Sequence, residues 1–182
     1  MKAKFPKLCL VLLVLSSPIV FAQGLKLIQE TLTGYEEVPA VSTVGKGQFI
    51  ARISNDETSI QWQLSYSDLE APIQQSHIHI GNTGVNGGIS VFLCTNLGNG
   101  PAGVQACPQA PATISGTINE DQVSPNIPAT LGARTQGLNT GEMKELIKAM
   151  RAGATYVNIH TVTWPGGEVR KQITASSGSV PK

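Results

Sequence analysis

Residues 58–67 read TSIQWQLSYS, and every second side chain from Ile60 onward is apolar. Ile60, Trp62, Leu64 and Tyr66 project one way, and Gln61, Gln63 and Ser65 the other. A period of two over this length marks a half-buried strand, because successive Cβ atoms leave opposite faces of the backbone. The same alternation runs through GKGQFIARIS (45–54), where Phe49, Ala51 and Ile53 share a face. GISVFLC (88–94) and PATISGTI (111–118) read as further strands, the first more continuously apolar. Turn signals recur at SND (54–56), GNTG (81–84), NGG (86–88) and PGG (165–167). Strands punctuated in this way predict an all-β fold: a single antiparallel, Greek-key-like β-sandwich or barrel.

One short helix interrupts the pattern, just before the segment that carries His160. In NTGEMKELIKAMRAG (139–153), Met143, Leu146, Ile147 and Met150 fall at helical spacing, with Thr140 as the expected N-cap and Gly153 as the stop. That stripe reads as a packing face. The preceding PNIPATLGARTQGLN (125–139) is rich in Pro, Gly and Asn and reads as a loop or short turns.

The first residues, MKAKFPKLCLVLLVLSSPIVFAQG (1–24), have the layout of a secretory leader: Lys2, Lys4 and Lys7, then the apolar run Leu8–Leu15, then small residues at Ala22. The apolar run is too short to span a bilayer. Cleavage is expected near Ala22, leaving a single β domain over 23–175 and a small, polar tail over 176–182. Loss of the leader removes three lysines and no acid, so the remaining chain carries 10 Lys and Arg against 12 Asp and Glu. No basic stripe survives to hold nucleic acid. No second hydrophobic segment is present, so the product is expected to be soluble and secreted or periplasmic.

An oxidising compartment makes a disulfide the expected state of Cys94 and Cys107, with a two-thiolate metal site as the other reading. A bridge closing so short a loop stabilises by roughly 3 kcal/mol, mostly through the unfolded chain.

The chemistry concentrates in three histidines, which are all that the chain has. His77 and His79 lie in SHIHI (76–80), so a strand there projects both the same way with Cα atoms about 6.7 Å apart. Two imidazoles at that spacing can share one ion about 2.0 Å from each nitrogen. Ile78 and Ile80 then face the core. In TYVNIHT (155–161), Val157 and Ile159 form the apolar face, and Tyr156, Asn158 and His160 the opposite one. All three histidines therefore leave their strands away from the core, which would put a metal site on the outer flank of the sheet. The other reading leaves them as solvated side chains on a polar face. Three neutral imidazoles without a thiolate suit copper, with zinc as the alternative. Asn158 shares the His160 face and could orient its ring. Glu168 and Arg170 are two apart and so expected on one face, either as a surface ion pair or with Glu168 supporting the site and Arg170 guiding small anions such as superoxide toward it.

Other chemistries fall away. GNTGVNGG (81–88) lacks the Lys-Ser/Thr of a phosphate-binding loop, and its glycines read as turn residues. No G-x-S-x-G elbow occurs. Glu36 and Glu37 are adjacent, diverge on an extended chain and make no acid/base pair.

Three blocks together resemble the CHRD (chordin) domain family: LTGYEEVPAVSTVGKGQF (32–49), SHIHIGNTGVNGGISVFL (76–93) and LIKAMRAGATYVNIHTVTWPGGEVRKQI (146–173). Lys171 stands where the closing motif usually has glycine. The resemblance implies an extracellular or periplasmic antiparallel β fold and assigns no reaction. The order H-x-H, then a single His, then Arg is also similar to the copper site of Cu/Zn superoxide dismutases, which carry copper on the outside of a β-barrel. This chain lacks the residues of their zinc subsite, so that similarity implies at most a copper-only form. A non-catalytic binding or adhesion module with structural histidines is the competing expectation.

Overall fold

The computed structural model describes residues 27–125 and 131–174. The proposed leader and C-terminal tail lie outside them. The described residues form eight strands: β1 (Leu27–Leu32), β2 (Lys46–Ile53), β3 (Ile60–Ser67), β4 (Ile73–Ile80), β5 (Gly88–Thr95), β6 (Ala112–Ile118), β7 (Thr155–Thr161) and β8 (Val169–Ile173). They make two four-stranded sheets, ordered β1-β2-β3-β6 and β5-β4-β7-β8. All pairings are antiparallel, and neither sheet closes on itself. The fold is an all-β sandwich, as the alternation indicates; the barrel is not formed.

The strand read first behaves as its pattern requires. Ile60, Trp62, Leu64 and Tyr66 are buried, while Gln61 and Gln63 face solvent. Phe49, Ala51 and Ile53 of β2 meet them in the core, together with Ile28 and Leu32 of β1. From the other sheet come Ile78, Val91, Leu93, Val157, Ile159, Val169 and Ile173. β1 was not read as a strand in the sequence, although its burial alternates with the same period.

Among the described residues two α-helices are present rather than one. α1 (Leu131–Thr135) occupies part of the Pro/Gly-rich stretch and packs against β5. α2 (Met143–Arg151) buries Met143, Leu146, Ile147 and Met150, the stripe expected from spacing. Its N-cap is Glu142 and not Thr140, whose hydroxyl donates instead to the Ser124 carbonyl at 2.7 Å. The Glu142 carboxylate accepts the Asn139 amide at 2.7 Å, closing the entry to the helix. Gly153 stops the helix with φ +68°, a conformation that costs glycine little. Cys94 and Cys107 form the disulfide. Among the described residues, no helix is long and apolar enough to cross a membrane.

Ile78 sits at the middle of β4 and is fully buried between the sheets. Ile78→Ala is expected to lower stability by about 2–5 kcal/mol, because both transfer energy and a residual cavity are involved. Gln61→Ala on the exposed face should stay within about 0.5 kcal/mol of the parent. Urea unfolding of the two variants checks the contrast.

Candidate metal centre

β4 pairs with β7 so that His77 lies opposite Asn158, His79 opposite Tyr156, and His160 opposite Gln75. His160 is thus the diagonal neighbour of His77 on the same face, within reach of an imidazole. The side-chain nitrogens of His77, His79 and His160 converge, with one ligand atom from each lying within 4.8 Å of the others. His77 Nδ1 and His160 Nε2 are 3.3 Å apart. Two ligands about 2.0–2.1 Å from a tetrahedral ion are separated by about 3.3–3.4 Å. Two irregularities in the β4–β5 register, at Ser76/His77 and Ile78/His79, flank the histidines. The extra residues, Leu93 and Ser90, belong to β5, and such irregularities increase the local twist where the histidines lie.

Backbone carbonyls orient two of the rings. His79 Nδ1 donates to the Gly87 carbonyl and His160 Nδ1 to the Pro165 carbonyl, each at 2.9 Å. These bonds place the proton on Nδ1 and leave the Nε2 lone pairs free, the arrangement that outer partners give to metal-ligating histidines. Gly87 holds a close approach that only glycine permits, since a Cβ there would run into the Ile80 carbonyl. Its amide donates to the Tyr156 hydroxyl at 3.1 Å. The Tyr156 ring stacks on His79, with centroids 4.6 Å apart and planes 2° from parallel. Phe92 of β5 meets His77 edge to face at 4.4 Å.

The site is on the face away from the core, as alternation requires, but it is not an open flank. His77 is 0 % exposed, and His79 and His160 are 6 % exposed. Alternation tells which face a side chain takes and is silent about what lies over that face. Here loops form a third layer. Asn86 Nδ2 donates to the Val38 carbonyl at 2.8 Å, joining the turn after β4 to the segment after β1. The reading of solvated histidines on a polar face is therefore replaced by buried ones.

Arg170 and Glu168 part company. Arg170 is buried, with its guanidinium carbon 3.4 Å from the centre of the Tyr156 ring. Its Nη1 donates to Asn86 Oδ1 at 3.1 Å and its Nη2 to the Val85 carbonyl at 3.0 Å. It staples the turn after β4 to β8. Glu168 accepts hydrogen bonds from Thr43 Oγ1 and Thr161 Oγ1, both at 2.8 Å, and from the Glu70 amide at 2.9 Å. These partners belong to the sandwich edge, and none is a histidine. Glu168 precedes β8 and follows Gly167 at φ +131°, so strand alternation does not govern where it points. Neither a surface ion pair nor a shared face describes the two. Asn158 is buried beside both His79 and Glu37, and its Oδ1 has no hydrogen-bond partner.

Glu37 is the residue that sequence reasoning passed over. Glu36 and Glu37 diverge as adjacent residues should: Glu36 Oε1 pairs with Lys171 Nζ at 2.6 Å, while Glu37 turns inward. Burial raises the Glu37 carboxyl to about 7, against the opposing charge of Arg170 and hydrogen bonds from Asn158 and the Val38 backbone. The only trace of this in the sequence is its place in the EEVP block.

Burial likewise lowers the histidines. His79 falls to about 3, and His160 to about 4, while His77 falls well below its usual value with the other two imidazoles adding to the effect. All three are neutral at neutral pH, with lone pairs available. In the metal-free chain, a depressed histidine means that the unfolded state binds more protons. Stability is then intact above the unfolded value of 6.5 and is lost as pH falls through the window toward about 4 and about 3. Glu37 acts in the opposite sense: its contribution is present below 4.5 and lost as pH rises through about 7. Three groups outweigh one. Thermal melts of metal-stripped protein are expected to show Tm falling steadily between about pH 7 and about pH 4, and a Tm that rises on acidification would contradict this account.

The family model for the CHRD domain matches residues 28–173, from β1 to the end of β8. Comparison with curated proteins and with solved structures returned no match. CHRD domains are typically extracellular, a setting that suits the Cys94–Cys107 bridge. With nearly all of the described sandwich covered by that match, the chain belongs to the CHRD domain family.

Proposed function

We propose that the protein is an exported copper-binding domain in which His77, His79 and His160 hold one ion. The observation that carries this reading is the convergence of three neutral imidazoles in a buried site. Two of their nitrogens, His77 Nε2 and His79 Nε2, lack any hydrogen-bond partner. Buried orphan nitrogens cost free energy of about 1–3 kcal/mol each. A cation offers the lone pairs of such a site a partner. An all-nitrogen donor set favours copper by intrinsic affinity, with zinc next. Copper, when bound, supplies one-electron redox chemistry; the chain's own residues supply orientation through Gly87 and Pro165 and exclude bulk water.

That exclusion favours holding copper for storage or delivery over rapid turnover. One observation favours a second reading, a copper-only superoxide dismutase-like activity. The Arg170 charge bears on His79, so a positive field reaches the site even though the Arg170 N–H groups are engaged by the loop. That field would draw a small anion such as superoxide. The secretory leader read at residues 1–22 and the disulfide support export, to the periplasm or beyond the cell. A purely structural role for the histidines, as in an adhesion module, leaves the orphan nitrogens without a purpose.

Protein purified from copper-supplemented culture is expected to carry about one equivalent of copper, measured by elemental analysis. His77→Ala/His79→Ala should carry none, whereas Glu168→Gln should keep its copper and lose only stability. Equal metal content in the parent and the double variant would defeat the assignment. Superoxide dismutation by the loaded protein is then compared with the same concentration of free copper: a rate no higher than that background rejects the enzyme and leaves the carrier.

A further inference from the structure

Between the segment after β1 and the loop joining β7 to β8 lies a cleft of about 190 Å³. Val38, Pro39, Val41, Trp164 and Pro165 supply its apolar walls, and Glu37 and Thr163 also line it. Ala40, Thr163, Pro165 and Gly166 are exposed, so the cleft opens to solvent on that side. Two of the side chains that line it carry unmet hydrogen-bonding capacity. Glu37 is only 5 % exposed, and its Oε1 has no partner. Trp164 Nε1, a donor only, is also buried without a partner. Buried groups of this kind call for an explanation, and a ligand is one. Gly167 makes room for the carboxylate, since a Cβ at that position would run into it.

We infer that this cleft binds a small, neutral, hydroxyl-bearing ring compound of the phenol type. The hydroxyl would donate to Glu37 Oε1 and accept from Trp164 Nε1, satisfying both orphans with one group. Size agrees, because an apolar cavity of about 150 Å³ holds benzene and the extra volume here suits a substituent. Charge agrees as well. An anion would meet the buried Glu37 carboxyl, and desolvating any further charge beside it costs free energy, so a neutral ligand is favoured. The Pro165 carbonyl orients His160, so the cleft and the histidine cluster share a wall. The inference stands on the cleft alone and needs no metal.

The probe is 4-fluorophenol, added to the metal-free mature chain and followed by its fluorine resonance and by the protein's indole N–H resonances. Saturable binding is expected with Kd of about 1 mM, reasonable for eight non-hydrogen atoms. The chain has two tryptophans, and Trp62 lines a different cleft, so the two indoles report separately. The Trp164 signal should move and that of Trp62 should not. Trp164→Phe, which keeps the ring and removes the donor, should weaken binding by roughly fivefold, and Glu37→Leu by at least as much. If either variant fails to fold, the Trp164 signal of the parent still decides. A fluorine shift that does not saturate by about 20 mM, a response confined to Trp62, or variants that bind like the parent each overturn the site.

Discussion

The pairing of β4 with β7 is the constraint on which the rest depends. Its register sets His77 and His79 opposite Asn158 and Tyr156 and leaves His160 one diagonal step away. A slip of one residue would send Ile78 and Val157 out of the core and the histidines into it. Both of those residues are fully buried with the hydrophobic cluster, so the apolar face pins the register that the polar face uses. Packing energy on one side of the sheet thereby fixes donor geometry on the other. No separate device is needed to bring together residues that are 83 positions apart in the chain.

The loop layer turns that geometry into an environment. Arg170 joins the turn after β4 to β8, Asn86 joins the same turn to Val38, and Gln172 Nε2 donates to the Gly81 and Gly153 carbonyls at 2.8 and 2.7 Å. A guanidinium stacked on a buried ring with its N–H groups bonded contributes about 2 kcal/mol when desolvated, so the layer has its own source of order. Its consequence is electrostatic. The imidazoles stay neutral at neutral pH, and burial pushes the Glu37 carboxyl near Arg170 up to about 7. Lys171 adds an anchor at the strand edge through Glu36.

How much of this was legible follows from the range of each signal. Alternation is local, so β2, β3, β5 and β6, the core residues and the face taken by each histidine could be read directly. The helix stripe was legible for the same reason, while its cap was not, because Thr140 is claimed by the Ser124 carbonyl from an element outside the helix. The meeting of His160 with His77 depends on which strands are neighbours, and nothing in a period of two carries that. Glu168 misled because alternation was extended across a glycine at positive φ into a segment that is not strand. Glu37 was missed because its significance arises only from loops folding over a sheet face. Covering layers are long-range and irregular, so the outer flank read from pattern became a buried chamber in three dimensions.

Neutrality of the cluster shapes how a cation could enter. With His160 Nδ1 bonded to Pro165, its Nε2 is an acceptor, and His77 Nδ1 at 3.3 Å can donate to it in the metal-free chain. That bond satisfies two inward nitrogens and leaves His77 Nε2 and His79 Nε2 unpaired. Whichever nitrogen His77 presents to an ion, Nε2 as it stands or Nδ1 after a change of tautomer, its charge does not change. The His77 ring would keep one proton throughout, so metal uptake need not release a proton from the cluster near neutral pH, unlike uptake by thiolate sites. The rings must also draw together, since the widest ligand spacing of up to 4.8 Å exceeds the about 3.4 Å of a tetrahedral pair. The two carbonyl-anchored rings are the fixed jaws, and His77, held by an edge-to-face contact with Phe92 and no hydrogen bond to backbone, is the one free to adjust. The cluster thus combines two anchored imidazoles with one that has room to adjust.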